Sequence, residues 1–191
     1  MSNSVATPTL LIAMPQIQDP FFRRGVVLLV DHDEEGSFGF VVNRSTDLKV
    51  ASVLSELKID WGGNDEMPAL LGGPVNPQLG TVLMPSNDAE GLGSGQSLEI
   101  APGISITQNV ESLRFLATHP PHGFRLILGY AGWSPGQLEE EIERHDWLTC
   151  PVDSDLVFSQ QLEGLWDGAL MLLGIRPGDL PEWTDGSASV N

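Results

Sequence analysis

Four side chains in two separate motifs could together bind a small ligand: Asn43, Arg44, Trp133 and Gln137. Trp133 offers a stacking face, Arg44 offers a fork of hydrogen-bond donors, and a helix that begins near Ser134 would present free backbone amides. These groups suit a small anionic or aromatic ligand. The alternative is structural, because an arginine in an acidic protein often forms an ion pair and a tryptophan beside a helix start often fills the core. The sequence favours the structural interpretation and keeps the ligand site as a second hypothesis.

Candidate metal ligands occur at two places. His119 and His122 flank two prolines, which prevent the helix that normally directs such a pair at zinc. Asp31-His32-Asp33 lies where we expect a strand to end, and it could hold a divalent ion or orient the imidazole. Short patterns of this kind arise readily by chance, so structural or solvent-exposed roles are favoured for both. We predict no metal site and no cofactor.

Nucleophiles and paired acids have little support. No Gly-x-Ser-x-Gly motif is present, and Cys150 lies beside a proline in an apolar segment, where a cysteine usually behaves as a small hydrophobe. The run Glu139–Glu141 falls within a predicted helix. Consecutive residues point in different directions around a helix, so these carboxylates are predicted to lie on its solvated face. We therefore predict no catalytic residue.

Two glycine-rich segments resemble ligand-binding loops in composition only. The Gly91–Gly95 segment precedes a predicted strand, whereas a phosphate-binding loop leads directly into a helix whose amides hold the phosphate. We interpret this segment as a hairpin tip. Gly72-Gly73-Pro74 is interpreted as a place where two backbone segments cross closely.

The chain is strongly acidic, with a formal net charge of −17 from 26 acidic and 9 basic residues among 191. Arg23 and Arg24 are adjacent, and the other basic residues are scattered singly. Because DNA binding needs several basic residues on one face, we expect neither direct DNA binding nor attachment to an anionic membrane. The acidity either keeps the protein soluble or suits a basic partner protein.

The cysteine content and the early apolar runs indicate the compartment. A single cysteine rules out an intrachain disulfide and fits a reducing environment. No basic residue precedes Arg23, and the runs Leu10–Met14 and Val26–Val30 are five residues each. Such runs are too short for a signal peptide or for a membrane span of about 20 residues. We expect a cytoplasmic protein.

Apolar runs bounded by turn residues predict an α+β fold with a bent, mostly antiparallel sheet, because strands arrive in hairpins rather than in strict alternation with helices. The predicted strands are Leu10–Met14, Val26–His32, Phe38–Asn43, Ala69–Leu71, Thr81–Met84, Leu98–Ile100, Ile104–Thr107, Phe124–Tyr130 and an edge segment, Trp147–Val152. A charged turn over residues 33–36 joins the second and third strands into a hairpin.

Helical spacing predicts four helices and their ends. The first helix places Val50, Val53, Leu54 and Leu57 on one stripe, after candidate caps at Ser45, Thr46 and Asp47. The second has Asn109 as its candidate N-cap and turns Val110, Leu113, Leu116 and Ala117 inward. The third has Ser134 as N-cap with Gln137 closing a capping box, and the last runs from Leu162 to Leu173 and stops at Gly174. We expect one domain over residues 9–180, a flexible N-terminus over 1–8 and a disordered tail over 184–191.

Several motifs together resemble the YqgE/AlgH family over about residues 9–180. They are Gly129-Tyr130-Ala131-Gly132-Trp133 followed by Gly136-Gln137-Leu138, Met14-Pro15, Asp19-Pro20-Phe21-Phe22, Val42-Asn43-Arg44, Gly72-Gly73-Pro74-Val75 and Trp147-Leu148. The resemblance implies a bifurcated sheet closed into a flattened pseudo-barrel with helices outside. It also implies a transcriptional-regulator label that is phenotypic in character, and no established biochemical activity.

These observations favour a non-catalytic cytoplasmic protein that binds a protein partner or a small ligand in a regulatory setting. If the chain regulates transcription, we expect it to act through another protein. The alternative is a hydrolase acting on a small nucleotide-like substrate, for which the chain offers no recognisable set of acid, base, metal and nucleophile.

Overall fold

The computed structural model describes residues 5–159 and 161–181. The strands of this part are β1 (Thr9–Ala13), β2 (Val26–Asp33), β3 (Gly36–Val41), β4 (Ser45–Lys49), β5 (Pro68–Leu71), β6 (Val75–Pro85), β7 (Leu98–Ala101), β8 (Ile104–Thr107), β9 (Arg125–Trp133) and β10 (Trp147–Cys150). The α-helices are α1 (Val50–Glu56), α2 (Val110–Thr118), α3 (Gln137–Glu143), α4 (Ser154–Val157) and α5 (Leu165–Leu172). Short 3₁₀ turns lie at Ser86–Gly91, Leu162–Gly164 and Pro177–Asp179.

The strands form a bent sheet in the order β10-β1-β2-β3-β9-β6-β8-β7. Neighbours on this path are antiparallel, and β5 adds a parallel pairing to β9 while also pairing with β4. The sheet bifurcates at β9, because Ala131–Trp133 pair with β3 whereas the earlier part of β9 pairs with β5 and β6. The expected α+β fold is confirmed, with a mostly antiparallel sheet that curls into a flattened pseudo-barrel and helices packed outside it.

Three apolar clusters fill the spaces between the sheet and its helices. The first cluster lies under α5 and includes Leu10, Ile12, Leu28, Phe40, Trp166 and Leu170. The second cluster lies under α1 and α2 and includes Val50, Leu54, Leu116, Phe124 and Leu126. The third cluster lies under α3 and includes Leu11, Val27, Val41, Trp133, Leu138 and Trp147. Successive side chains of a strand point to opposite faces, so β1 contributes to the first and third clusters in alternation. Strand β1 is therefore buried along its whole length.

The predicted caps of α1 are wrong, although the helix begins at Val50, the first residue of the predicted stripe. Ser45, one of the three expected caps, pairs with Leu70 of β5 instead. Lys49, the last residue of β4, occupies the N-cap without a side-chain hydrogen bond. The expected apolar stripe is only partly inward, since Val50 and Leu54 are buried while Leu57 is exposed. In α2, the Asn109 side chain accepts from the backbone N–H of Ser112 as predicted, but Val110 is exposed. Pairing of β4 with a distant strand outweighs the local cap signal here.

The start of α3 also differs from the prediction. The helix begins at Gln137, and Gly136 occupies the N-cap with a φ of 77°, a left-handed conformation that glycine adopts without strain. One arm of the expected capping box is present, because Oε1 of Gln137 accepts from the backbone N–H of Ser134 at 3.0 Å. Ser134 therefore stays outside the helix while its amide is still satisfied.

Gly72 and Gly73 lie at the predicted close crossing. A Cβ on Gly72 would lie 2.3 Å from the carbonyl oxygen of Gly129, and one on Gly73 would lie 2.2 Å from that of Tyr130. The backbone of Gly73 also has a φ of 153°. A close backbone crossing was expected here, and the segment that the β5–β6 connection crosses is β9.

The domain bounds of 9–180 stay a prediction. The expected tail, 184–191, and the first four residues of the expected flexible N-terminus lie outside the described residues. Among the described helices, none has both the length and the apolar character that crossing a bilayer requires.

Candidate functional site

Asn43 holds the loop that precedes β2. Its Oδ1 accepts from the backbone N–H of Val26 at 2.8 Å, and its Nδ2 donates to the carbonyl of Arg24 at 2.9 Å. Asn43 comes just after the end of β3, and the antiparallel pairing of β2 and β3 therefore places its side chain beside the start of β2. Both ends of this amide are engaged within the fold.

Arg44 is tied to the same loop. Its Nη2 donates to the carbonyl of Arg23, and its Nε is buried without a hydrogen-bond partner among the described residues. The half-buried guanidinium therefore meets a backbone carbonyl, where the structural interpretation had expected a carboxylate.

Trp133 lies in the third apolar cluster and is 7% exposed. Its ring meets Trp147 edge-on, with centroids 6.0 Å apart, and Phe22 lies against both rings. The indole N–H of Trp133 donates to Oε2 of Glu141 at 2.9 Å. The packing of this ring corresponds to the structural interpretation.

Glu141 is the shared acceptor at the edge of this cluster. The same Oε2 accepts the indole N–H of Trp147 at 2.8 Å, and Oε1 accepts Nε2 of Gln137 at 2.9 Å. The predicted position of Glu141 on a solvated face is therefore wrong, since its carboxylate is partly buried. Two signals could have indicated it: two nearby indoles that need acceptors, and the i,i+4 spacing from Gln137.

The four candidate ligand residues form two separate groups. Trp133 pairs with Ser37 at the start of β3, whereas Asn43 lies six residues further along the chain, about 20 Å at the rise of an extended strand. One loop connects the groups, because Phe22 packs on Trp133 while the carbonyls of the next two residues accept from Arg44 and Asn43. Their role in ligand binding stays a prediction.

The tip of the β2–β3 hairpin and the start of α3 form an acidic end of the molecule, defined by Asp31, Asp33, Glu34, Glu35, Glu139 and Glu140. The two segments meet where Ser37 pairs with Trp133. A shallow cavity of about 250 Å³ is lined by Asp31, Asp33, Glu35 and Trp133, among others. Residues 25–43 and 126–143 contain no lysine, and the first arginine that follows residues 25–43 is Arg44.

His32 joins the two segments of the acidic end. Its Nδ1 lies 2.8 Å from Oγ of Ser37, and its Nε2 lies 3.7 Å from Oε1 of Glu139. Asp31 accepts from the backbone N–H of His32 rather than from its ring. Within residues 5–159 and 161–181, no group of three or more His, Cys, Asp and Glu residues is arranged to hold a metal ion.

Cys150 lies at the end of β10 and is 1% exposed. Burial raises the pKa of its thiol, and the nearby carboxylate of Asp153 raises that pKa further. Because the thiolate is the reactive form, both effects make this cysteine a poor nucleophile.

Comparison with known proteins establishes the family. The model of the AlgH-like family (DUF179) matches residues 10–178. The chain belongs to the AlgH-like family. A UPF0301 protein from Ruegeria pomeroyi is 42% identical over 172 residues, which cover 88% of this chain and 92% of that protein. A UPF0301 protein from Laribacter hongkongensis is 38% identical over 174 residues, covering 89% and 91%.

Two solved structures share the fold of this AlgH-like chain. The solution structure of the AlgH protein from Pseudomonas aeruginosa is 36% identical, with a TM-score of 0.72, and the match covers 92% of this chain and 94% of that one. The crystal structure of protein DIP2367 from Corynebacterium diphtheriae is 25% identical, also with a TM-score of 0.72, and the match covers 89% and 88%. These relatives establish the family and the fold, and their names specify no activity.

Proposed function

We propose that this AlgH-like protein is a non-catalytic, cytoplasmic regulatory protein that binds a basic segment of a partner protein at its acidic end. The observation that carries this proposal is the exposure of the hairpin carboxylates, of which Asp31, Asp33 and Glu35 line one shallow cavity. A surface with one sign of charge steers an oppositely charged partner and fixes its orientation.

The side chains of the sequence motifs have structural roles, which leaves the exposed carboxylates for binding. Trp133, Gln137 and Glu141 make hydrogen bonds within the fold that stabilise the position of α3 against β9 and β10, and Asn43 separately holds the loop before β2. The exposed carboxylates of the acidic end are the groups left to face a partner. A basic segment of a few Lys or Arg side chains would match their number and charge.

The proposed route to transcription is indirect. The net charge of −17 repels the phosphates of DNA, so an effect on a promoter would pass through the bound partner. The partner's affinity for its own target would then change when the acidic end is occupied.

The test uses a fluorescent peptide of eight residues rich in Lys and Arg, titrated with the full chain at about 150 mM salt. The variant D31N/D33N/E35Q removes three hairpin charges and retains the side-chain oxygens that accept local backbone N–H groups. We expect the fluorescence anisotropy to show saturable binding that weakens at least about tenfold in this variant, which corresponds to about 1.4 kcal/mol.

The matched control is E56Q/D60N/D65N, which changes the net charge equally at three exposed positions near α1. The control should bind the peptide like the unmodified chain. Equal weakening in both variants would mean that the peptide responds only to net charge, and absence of binding to the unmodified chain would also contradict the proposal.

A further inference from the structure

Arg125 is a buried cation in an acidic protein. It begins β9, is 8% exposed, and donates to the backbone carbonyls of Phe124 at 3.0 Å, Phe158 at 3.1 Å and Ser159 at 3.0 Å. Across residues 5–159 and 161–181, the salt bridges join other pairs, and none includes Arg125. Its guanidinium is therefore held by neutral oxygens.

Such a group is unusual because buried charges are normally paired. Burial lowers the pKa of Arg125, yet an arginine side chain stays protonated in proteins. Carbonyl dipoles satisfy hydrogen bonds without supplying a full negative charge. A guanidinium has five N–H donors, so three carbonyl bonds leave two donors for a further acceptor.

The side chain borders a cavity of about 170 Å³, whose other lining residues are Asn64, Glu66, Met67, Pro68, Leu70 and Leu162. Most of this lining is apolar. Glu66 carries the one carboxylate of the lining, and it forms a salt bridge with Lys49 at the surface. Lys49 therefore balances Glu66, and the charge of Arg125 is left over.

We propose that this cavity binds a small monocarboxylate, with its carboxylate on the Arg125 guanidinium and its short apolar tail against Met67, Leu70 and Leu162. A carboxylate supplies the missing negative charge and accepts charge-assisted hydrogen bonds. A singly charged group costs less to desolvate than a doubly charged phosphate in an apolar cavity. The volume limits the tail to a few carbon atoms. This site is separate from the acidic end and goes beyond the proposed function.

The first experiment follows methyl groups by NMR in the full chain. Butanoate, the uncharged butanamide and inorganic phosphate are titrated separately at constant ionic strength. We expect the methyl signals of Met67, Leu70 and Leu162 to shift with butanoate and to reach half-saturation at about 1 mM, a usual affinity for so small a ligand. Butanamide should bind at least about tenfold more weakly, because it lacks the charge that Arg125 requires.

The second experiment removes the charge. The variant R125Q should lose the butanoate shifts, whereas R176Q, which makes the same change of charge at an exposed arginine, should keep them. If R125Q does not fold, the comparison of butanoate with butanamide in the unmodified chain still tests the proposal. Absence of saturable shifts, equal binding of the amide, or tighter binding of phosphate would each overturn it.

Discussion

Glu141 illustrates how one carboxylate can join two aromatic residues that belong to different strands. Its Oε2 accepts the indole N–H groups of Trp133 on β9 and Trp147 on β10, so the carboxylate links the two strands through α3. Loss of an acceptor leaves buried donors unsatisfied, which costs more than the net value of the hydrogen bonds themselves.

Replacement of Glu141 by Gln should lower the free energy of unfolding by about 2 kcal/mol, because hydrogen bonds to a charged acceptor are the stronger ones. Urea unfolding followed by tryptophan fluorescence measures this change. E140Q, at an exposed position on the same helix, should change stability by less than about 0.5 kcal/mol. Equal effects of the two substitutions would show that Glu141 is not the shared acceptor in solution.

Trp133→Ala should cost about 3 to 5 kcal/mol, because it empties a site in the third apolar cluster. Gln137→Ala should cost on the order of 1 kcal/mol, since its side chain satisfies the backbone N–H of Ser134. Urea melts of both variants beside the unmodified chain give the comparison. An unchanged midpoint for Trp133→Ala would refute the packing role and favour the ring as a ligand platform.

Cys150 gives a prediction about pH. The pKa of its thiol is raised in the folded state, so the fold binds a proton that the unfolded chain releases above about pH 8.5. Its contribution to stability is therefore complete below that pH and is lost as the pH rises towards the folded-state pKa. The unmodified chain should lose more stability than C150A between pH 8 and pH 10 in urea melts.

A thiol reagent should label Cys150 readily at pH 8 only after unfolding, and fast labelling of the native chain would contradict this account.

The residue-scale predictions from sequence succeeded where the neighbours are local. Asn109 caps α2 because donor and acceptor are three residues apart, a spacing that can be read directly. Glu141 was missed despite its i,i+4 spacing from Gln137, because the approach of the two indoles that share its carboxylate depends on the whole sheet. For the same reason the sequence did not show that Asn43 and Arg44 lie apart from Trp133, because a motif does not specify at which end of a strand its residues will lie.

Among the elements, the β5–β6 connection crosses β9 so closely that two glycines lie against its backbone. Gly73→Ala should destabilise the protein by about 3 kcal/mol or more, because the added Cβ meets the Tyr130 carbonyl and the backbone conformation is strained for alanine. Thermal or urea unfolding measures the loss. Gly178→Ala has open space and should be nearly neutral. A neutral Gly73→Ala would mean that the connection can move away from β9.

Elements whose sequence signal is local were predicted, whereas elements that depend on pairing with other strands were not. The β2–β3 hairpin was predicted because two apolar runs and the turn residues between them lie within one short window. Strand β4 was missed since its sequence, Ser-Thr-Asp-Leu-Lys, has the composition of a helix start, and only its pairing with β5 makes it extended. Strand β6 extends well before its predicted core, and there its pairing is with β9, through Val75 and Gly80, whereas β8 pairs only with Val82–Pro85.

At the scale of the whole molecule, charge gives the most direct prediction. The isolated protein should not bind promoter duplex at about 150 mM salt, because its nine basic residues are dispersed against 26 acids. Fluorescence anisotropy with labelled duplex across a salt series measures this. Tight binding with a steep salt dependence would contradict the indirect route to transcription.

The fold class could be predicted because several short motifs occur together over most of the chain, and the family match over residues 10–178 agrees with them. The carboxylate-binding cavity at Arg125 could not, since its lining comes from segments far apart in sequence that carry no motif. A buried arginine also looks the same in sequence as an exposed one.

The position of β1 between β2 and β10 has a consequence for how the protein is made. Trp147 of β10 pairs with Ala13, so the partner for one edge of β1 leaves the ribosome more than 130 residues after β1 itself. At bacterial rates of synthesis this delay is on the order of 10 seconds. Throughout that interval the nascent chain carries an apolar strand with an open edge, the kind of segment that invites aggregation and that chaperones cover.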